Sequence, residues 1–250
     1  MKNAVSLTSD HIIQHIHKVN ARRDLAQKMG RLEAVHALQE WQCRRLLTTH
    51  ADLQQEPEFA DAMTFFVDEL YGPKDFSQRD KDLSRVIPKL SSVLPEKALN
   101  ALNDALRLNA LSFDLDLDMV NAMVKRRNAD IKSPSDIDTE LYANAYRDVG
   151  RCDDRATQID IVDHLGMLLA DVVKVRGISM LIKLARKPAK VAGVLTLHEF
   201  LERGFAAFKQ LGDVRDFLDP IVDRERHIMR VLCDDSYSPE KNPLPDEPIA

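Results

Sequence analysis

Apolar side chains return every three or four residues along almost the whole chain, as in Phe59, Met63, Phe66 and Leu70, and no alternating run reaches strand length between turn signals. The pattern predicts an all-α fold, a multi-helix bundle of about ten helices in a single globular domain. The predicted helices are 9–20, 22–49, 57–71, 76–92, 95–113, 116–129, 135–149, 154–186, 196–211 and 219–233. Thr196-Leu197-His198-Glu199 has the form of a capping box, and Pro95, Pro134 and Pro220 fall near first helical turns. Gly72, Gly150 and Gly212 stand where left-handed residues would end helices. The polar stretch Ser133-Pro134-Ser135 predicts a hinge, with N- and C-terminal halves of a domain spanning 1–233 meeting near 130–136. Prolines at 239, 243, 245 and 248 mark 234–250 as a flexible, loosely draped tail.

The stretch TFFVDELYGPKDFSQRD, residues 64–80, sets two phenylalanines side by side. Adjacent helical residues point about 100° apart, so Phe66 joins the stripe while Phe65 lies beside Asp61, Asp68 and Glu69 and needs a second partner. Tyr71-Gly72-Pro73 predicts the helix end, and Asp75-Phe76-Ser77-Gln78 the cap of the next helix. Four of the nine phenylalanines lie between 59 and 76 and four more between 200 and 217, so the two clusters are expected to meet. The corner is then either aromatic core or a ligand pocket edged by Phe65, Asp68, Glu69 and Tyr71.

FFVDELYGPKDFSQRDKDLSRVIP resembles the signature of an uncharacterised family of bacterial all-helical proteins marked by FF, LYG, DF and RD at these spacings. The resemblance is firmest over 64–88 and continues through YANAYRDVGR, RKPAKVAG and FLERGFAAF. That family has no established activity, so the resemblance implies a bacterial origin and assigns no catalytic residue.

Composition narrows the function. With 44% hydrophobic and 30% charged residues the chain has material for a sizeable core and a water-soluble exterior. A net charge of −5 argues against a general nucleic-acid binder. Cys43, Cys152 and Cys233 form no close pair, so neither a disulfide framework nor a zinc site is readable, and a reducing cytoplasm fits best. The N-terminus lacks a signal peptide's apolar core, and no run approaches the roughly 18 apolar residues of a transmembrane segment.

Three constellations carry candidate chemistry. Glu33-Ala34-Val35-His36 has the Glu-x-x-His spacing by which ferritin-like bundles present ligands to a di-metal centre. His36 falls within the stripe Leu25, Met29, Leu32, Cys43 and Leu47, flanked by Glu33 and Glu40, so it reads either as a hydrogen-bonded core histidine or, as the alternative, as part of an inward-facing metal set of Glu33, His36 and Glu69. No second Glu-x-x-His completes it; Asp160/His164 and Asp223/His227 are spaced by four. Asp114-Leu115-Asp116-Leu117-Asp118 opens like a calcium loop but has Met119 in place of the required glycine and Lys125 in place of the bidentate glutamate. The acids instead predict a helix N-terminus. Finally, no acidic residue occurs between Asp171 and Glu199, where Lys174, Arg176, Lys183, Arg186, Lys187 and Lys190 accumulate around the helical apolar positions Ile178, Leu181, Ile182 and Ala185. The segment 174–190 reads either as a solvated helix end whose cations pair with acids elsewhere in the fold, or as an amphipathic helix whose Lys183, Arg186, Lys187 and Lys190 meet an anionic ligand, a membrane surface or a protein partner, with nucleic acid the weaker version. No nucleophile signature is present and no cofactor is implied. The expectation is a cytoplasmic helical interaction or ligand-binding protein, with a metal-dependent ferritin-like enzyme as the alternative.

Overall fold

The computed structural model describes residues 2–67, 82–87 and 95–246, with side chains from residue 10 onward. Most of the described residues are helical, and none is in a strand. Ten helices are labelled here: α1 (Lys2–Lys28), α2 (Leu32–Thr49), α3 (Ala51–Gln55), α4 (Ala60–Phe66), α5 (Glu96–Arg127), α6 (Thr139–Val149), α7 (Cys152–Val173), α8 (Ile178–Val191), α9 (Leu195–Lys209) and α10 (Val214–Cys233). Residues 82–87, inside the predicted helix 76–92, are helical too.

Helix α5 is the axis of the fold: α1, α2, α6 and α7 all pack on it. It runs unbroken through the point where two helices were predicted. The acids of 114–118 therefore sit in mid-helix, not at a positive N-terminus, and are met from outside. Arg22 reaches Asp114 at 2.6 Å, and Arg151 bridges Asp114 at 3.0 Å and Asp118 at 2.7 Å. Buried Asp116 accepts from Gln39 Nε2 at 3.1 Å and Gln42 Nε2 at 3.0 Å.

Elsewhere the chain breaks where continuity was predicted. Gly30 (φ 64°) ends the first helix inside 22–49, and Gly177 (φ 86°) divides 154–186 into α7 and α8, because a left-handed residue cannot extend a right-handed helix. The capping box at Thr196 does not form, since α9 starts one residue earlier with Val194 at the cap. Pro220 lies inside α10, whose N-cap is Asp213, accepting from Arg215 N at 2.9 Å. Gly150 caps α6 as expected. Gly212 instead allows a close approach, its amide donating to Glu58 Oε1 at 2.7 Å.

Three apolar clusters share the interior. One joins Ala34, Val35, Leu38 and Trp41 of α2 to the C-terminal half of α5 and to α6, with Trp41 stacked on Tyr142 at 4.5 Å. Ile131 and Ile137 are buried in it, so 130–136 is anchored at both ends to a core drawn from both sides of the chain. The second gathers the phenylalanines of α4, α9 and α10. The third joins Ile12 and Ile16 to Leu83, Ile87 and Leu99.

The tail is held, not draped, through residue 246. Leu244 is buried, Thr139 Oγ1 donates to the Pro245 carbonyl at 3.0 Å, and Arg147 lies over the Tyr237 ring at 4.7 Å while donating to the Asp234 carbonyl at 2.6 Å. A disulfide the cysteine spacing gave no sign of joins Cys152, at the start of α7, to Cys233, at the end of α10, across 81 residues. It also weighs against the reducing cytoplasm inferred from the cysteine count, because such bonds persist in oxidising compartments. Cys43 is a buried thiol outside the disulfide, its Sγ donating to the Val67 carbonyl at 3.7 Å.

Candidate functional site

The adjacent phenylalanines face two different cavities. Phe66 packs between Phe208 (5.7 Å) and Phe217 (6.0 Å), and Phe65 against Phe200 at 5.5 Å and edge-on to Phe208, so the two phenylalanine clusters do meet. Phe65 lines an apolar cavity of about 130 Å³ with Phe200 and Gly204. Phe66 lines a separate cavity of about 80 Å³ whose opposite wall is polar.

That polar wall is assembled from four segments. Gln42 and Arg45 come from one face of α2, and His50 from the turn after it. Arg155 and Gln158 are one turn apart on α7, and Glu225 follows Leu218 and Val222 along the inward stripe of α10. Arg45 donates to Glu225 Oε1 through a short hydrogen bond, and His50 Nε2 donates to the same oxygen at 3.1 Å. Burial opposes the Glu225 charge, but the Arg45 charge and the hydrogen bonds from His50 and Arg45 outweigh it and hold the carboxyl at about 2.

Arg155 is placed differently. It is only 7% exposed, lies over the Tyr146 ring at 4.9 Å, and donates through Nη1 to Gln158 Oε1 at 3.2 Å. Among the described residues it has no carboxylate ion-pair partner, and its Nη2 has no hydrogen-bond partner. Burial drives Asp116 towards its neutral form against the pull of the Arg155 charge, and its hydrogen bonds go to the two glutamines. His50 is fully buried, and with the neutral ring's proton on Nε2 its Nδ1 is an acceptor that has no hydrogen-bond partner among the described residues. A buried cation and an unspent donor both carry a desolvation cost that a ligand oxyanion would relieve. The cavity is several times larger than the roughly 10–15 Å³ a single water needs.

The sites expected from the sequence fare differently. Asp68, Glu69 and Tyr71, with the turn 71–78 and most of the motif 64–88, lie outside the described residues; Phe65 is at the apolar cavity. Glu33 and His36 do not face the bundle interior: with Glu40 they line an open surface groove, and Glu33 is exposed. The break at Gly30 interrupts the stripe assumed to bury them, and Leu25 and Met29 are themselves exposed. Among the described residues no group of three or more His, Cys, Asp or Glu side chains is placed to hold a metal. Of the pairs spaced by four, Asp160 binds Arg226 at 2.8 Å and His164 binds Asp104 at 2.6 Å. Lys183, Lys187 and Lys190 are exposed, whereas Arg186 is tied to Glu199 at 3.2 Å and to Glu202.

Sequence reasoning missed Arg45, His50, Arg155, Gln158 and Glu225. The one local sign was a charged residue at an apolar position, as in Leu218, Val222 and Glu225 at helical spacing. A family model described as a domain of unknown function (DUF8198) matches residues 21–239. The chain belongs to that family. The matched span holds every residue of the polar cavity. Neither the curated proteins nor the solved structures contain a match to the chain.

Proposed function

We propose that the protein binds a small carboxylate in the polar cavity, the carboxylate meeting Arg155 and a hydroxyl or amino donor of the same molecule meeting His50 Nδ1. The observation that carries this reading is the buried Arg155 guanidinium, which lacks a carboxylate partner among the described residues and keeps Nη2 unspent. Arg45 is neutralised by Glu225, so Arg155 supplies the charge an anion would complement. The surroundings suit a passive binding site: Tyr142 and Tyr146 are held in the neutral phenol form by burial, and nothing in the comparisons supports an enzyme. The reading takes the protein as bacterial, on the resemblance of residues 64–88 alone.

Calorimetric titration with formate, acetate, glycolate and glycine tests this. Glycolate should bind more tightly than acetate, and Arg155→Gln should abolish both while the folded state persists. Retained binding in Arg155→Gln, or no binding of any of the four with ordered water filling the cavity in a high-resolution crystal structure, would refute the reading.

A further inference from the structure

Helix α8 carries apolar side chains on two opposite faces. Ile178 and Ile182 point to the protein body and line the apolar cavity. On the other side Met180 is 68% exposed, Leu184 69% and Val191 90%. At about 100° per residue these three fall within an arc of about 40°, a single stripe along the outer surface. Lys187, Lys183 and Lys190 follow on one flank of that stripe, all exposed and with no carboxylate partner among the described residues. Arg186, further round, is occupied by Glu199 and Glu202. A chain of net charge −5 thus shows a local cationic ridge beside an exposed aliphatic one, in a stretch with no acidic residue between Asp171 and Glu199.

We infer that α8 docks on an anionic lipid bilayer, with Met180, Leu184 and Val191 entering the headgroup boundary and Lys183, Lys187 and Lys190 reaching lipid phosphates and carboxylates. The pattern matches what such a surface requires: an aliphatic stripe lying in the interface plane, and flexible lysines whose methylenes cover apolar area while their ammonium groups stay with charge. A protein partner fits less well, because interface centres are enriched in aromatic residues and arginine and depleted of lysine, and this stripe contains no aromatic residue and no uncommitted arginine. No helix among the described residues is long and apolar enough to cross a membrane, so contact through α8 would be peripheral. The inference is independent of the polar cavity, which no residue of α8 lines.

The test is vesicle flotation of the full chain with phosphatidylcholine alone and with phosphatidylcholine mixed with phosphatidylserine. Binding is expected only to the mixed vesicles and should weaken as salt rises, since exposed charges are screened beyond about 8 Å at physiological ionic strength. The triple variant Lys183→Glu, Lys187→Glu, Lys190→Glu should lose on the order of a hundredfold in affinity, from about 1 kcal/mol per lysine near an anionic surface. Leu184→Ser should weaken binding while leaving its salt dependence unchanged, and all these variants should melt like the parent because the positions are exposed. Equal binding to both vesicle types, no binding to either, or a dimer that Leu184→Ser dissociates would each overturn the inference, the last by assigning the face to a second copy of the chain.

Discussion

Glu225 shows how a single residue can hold a site together at a cost that depends on pH. Its carboxyl is buried, yet Arg45 and His50 keep it ionised down to about 2. The folded-state value lies below the ordinary glutamate value of 4.5, so its contribution is fully present above that value and is lost as pH falls towards about 2. Asp116 has the opposite sign, being raised by burial, so its contribution is present at low pH and lost as pH rises through its folded value. Glu225→Gln removes the carboxylate charge beside buried Arg45 and should cost about 3–5 kcal/mol at neutral pH. The same variant should flatten the acid limb of the stability profile between 4.5 and about 2, which denaturant melts at a series of pH values would read directly.

At the scale of elements, the contact between α4 and α9 depends on a missing side chain. A Cβ on Gly204 would come within 2.7 Å of Phe65 Cζ, closer than real contacts allow, and the ring is hemmed in by Phe200 and Phe208. Gly204→Ala should therefore push α9 away from α4 and destabilise the fold by about 1–3 kcal/mol, despite alanine's better helix propensity of about 1 kcal/mol. A thermal melt equal to or above that of the parent would show that the Phe65 ring yields. The aromatic corner was legible in the sequence because neighbouring helical residues diverge by a fixed angle. That the two rings would line separate cavities was not, since the cavities are closed by α7, α9 and α10, which come later in the chain.

For the whole molecule, the Cys152–Cys233 bond closes a loop of 81 residues that contains α7, α8, α9 and α10. Restricting a loop of that length in the unfolded chain is worth about 4–5 kcal/mol in the chain-entropy account, with typical measured values of about 2–4 kcal/mol. Cys152→Ser should lower the melting temperature by roughly 5–15 °C, at about 2–4 °C per kcal/mol for a chain of this size. Alkylation of protein unfolded without reductant should label Cys43 alone, and labelling of all three cysteines would show that the bond does not form.

The sequence by itself determined the helical class, the divergent directions of Phe65 and Phe66 and the cationic character of α8, because helical periodicity and local charge are properties of neighbouring residues. It misplaced several boundaries, since the apolar rhythm continues through Gly30, Gly177 and the acids of 114–118 while the backbone breaks at the first two and runs straight through the third. Only the tertiary structure decided that Glu33 and His36 face outward, that the segment 234–246 is held, and that Cys152 finds Cys233. It alone brought Arg45 and His50 to Glu225, 180 and 175 residues away in the chain. Contacts at such separations leave no local trace, because what sets them is the packing of α2 and α7 with α10, not the order of residues within any one helix.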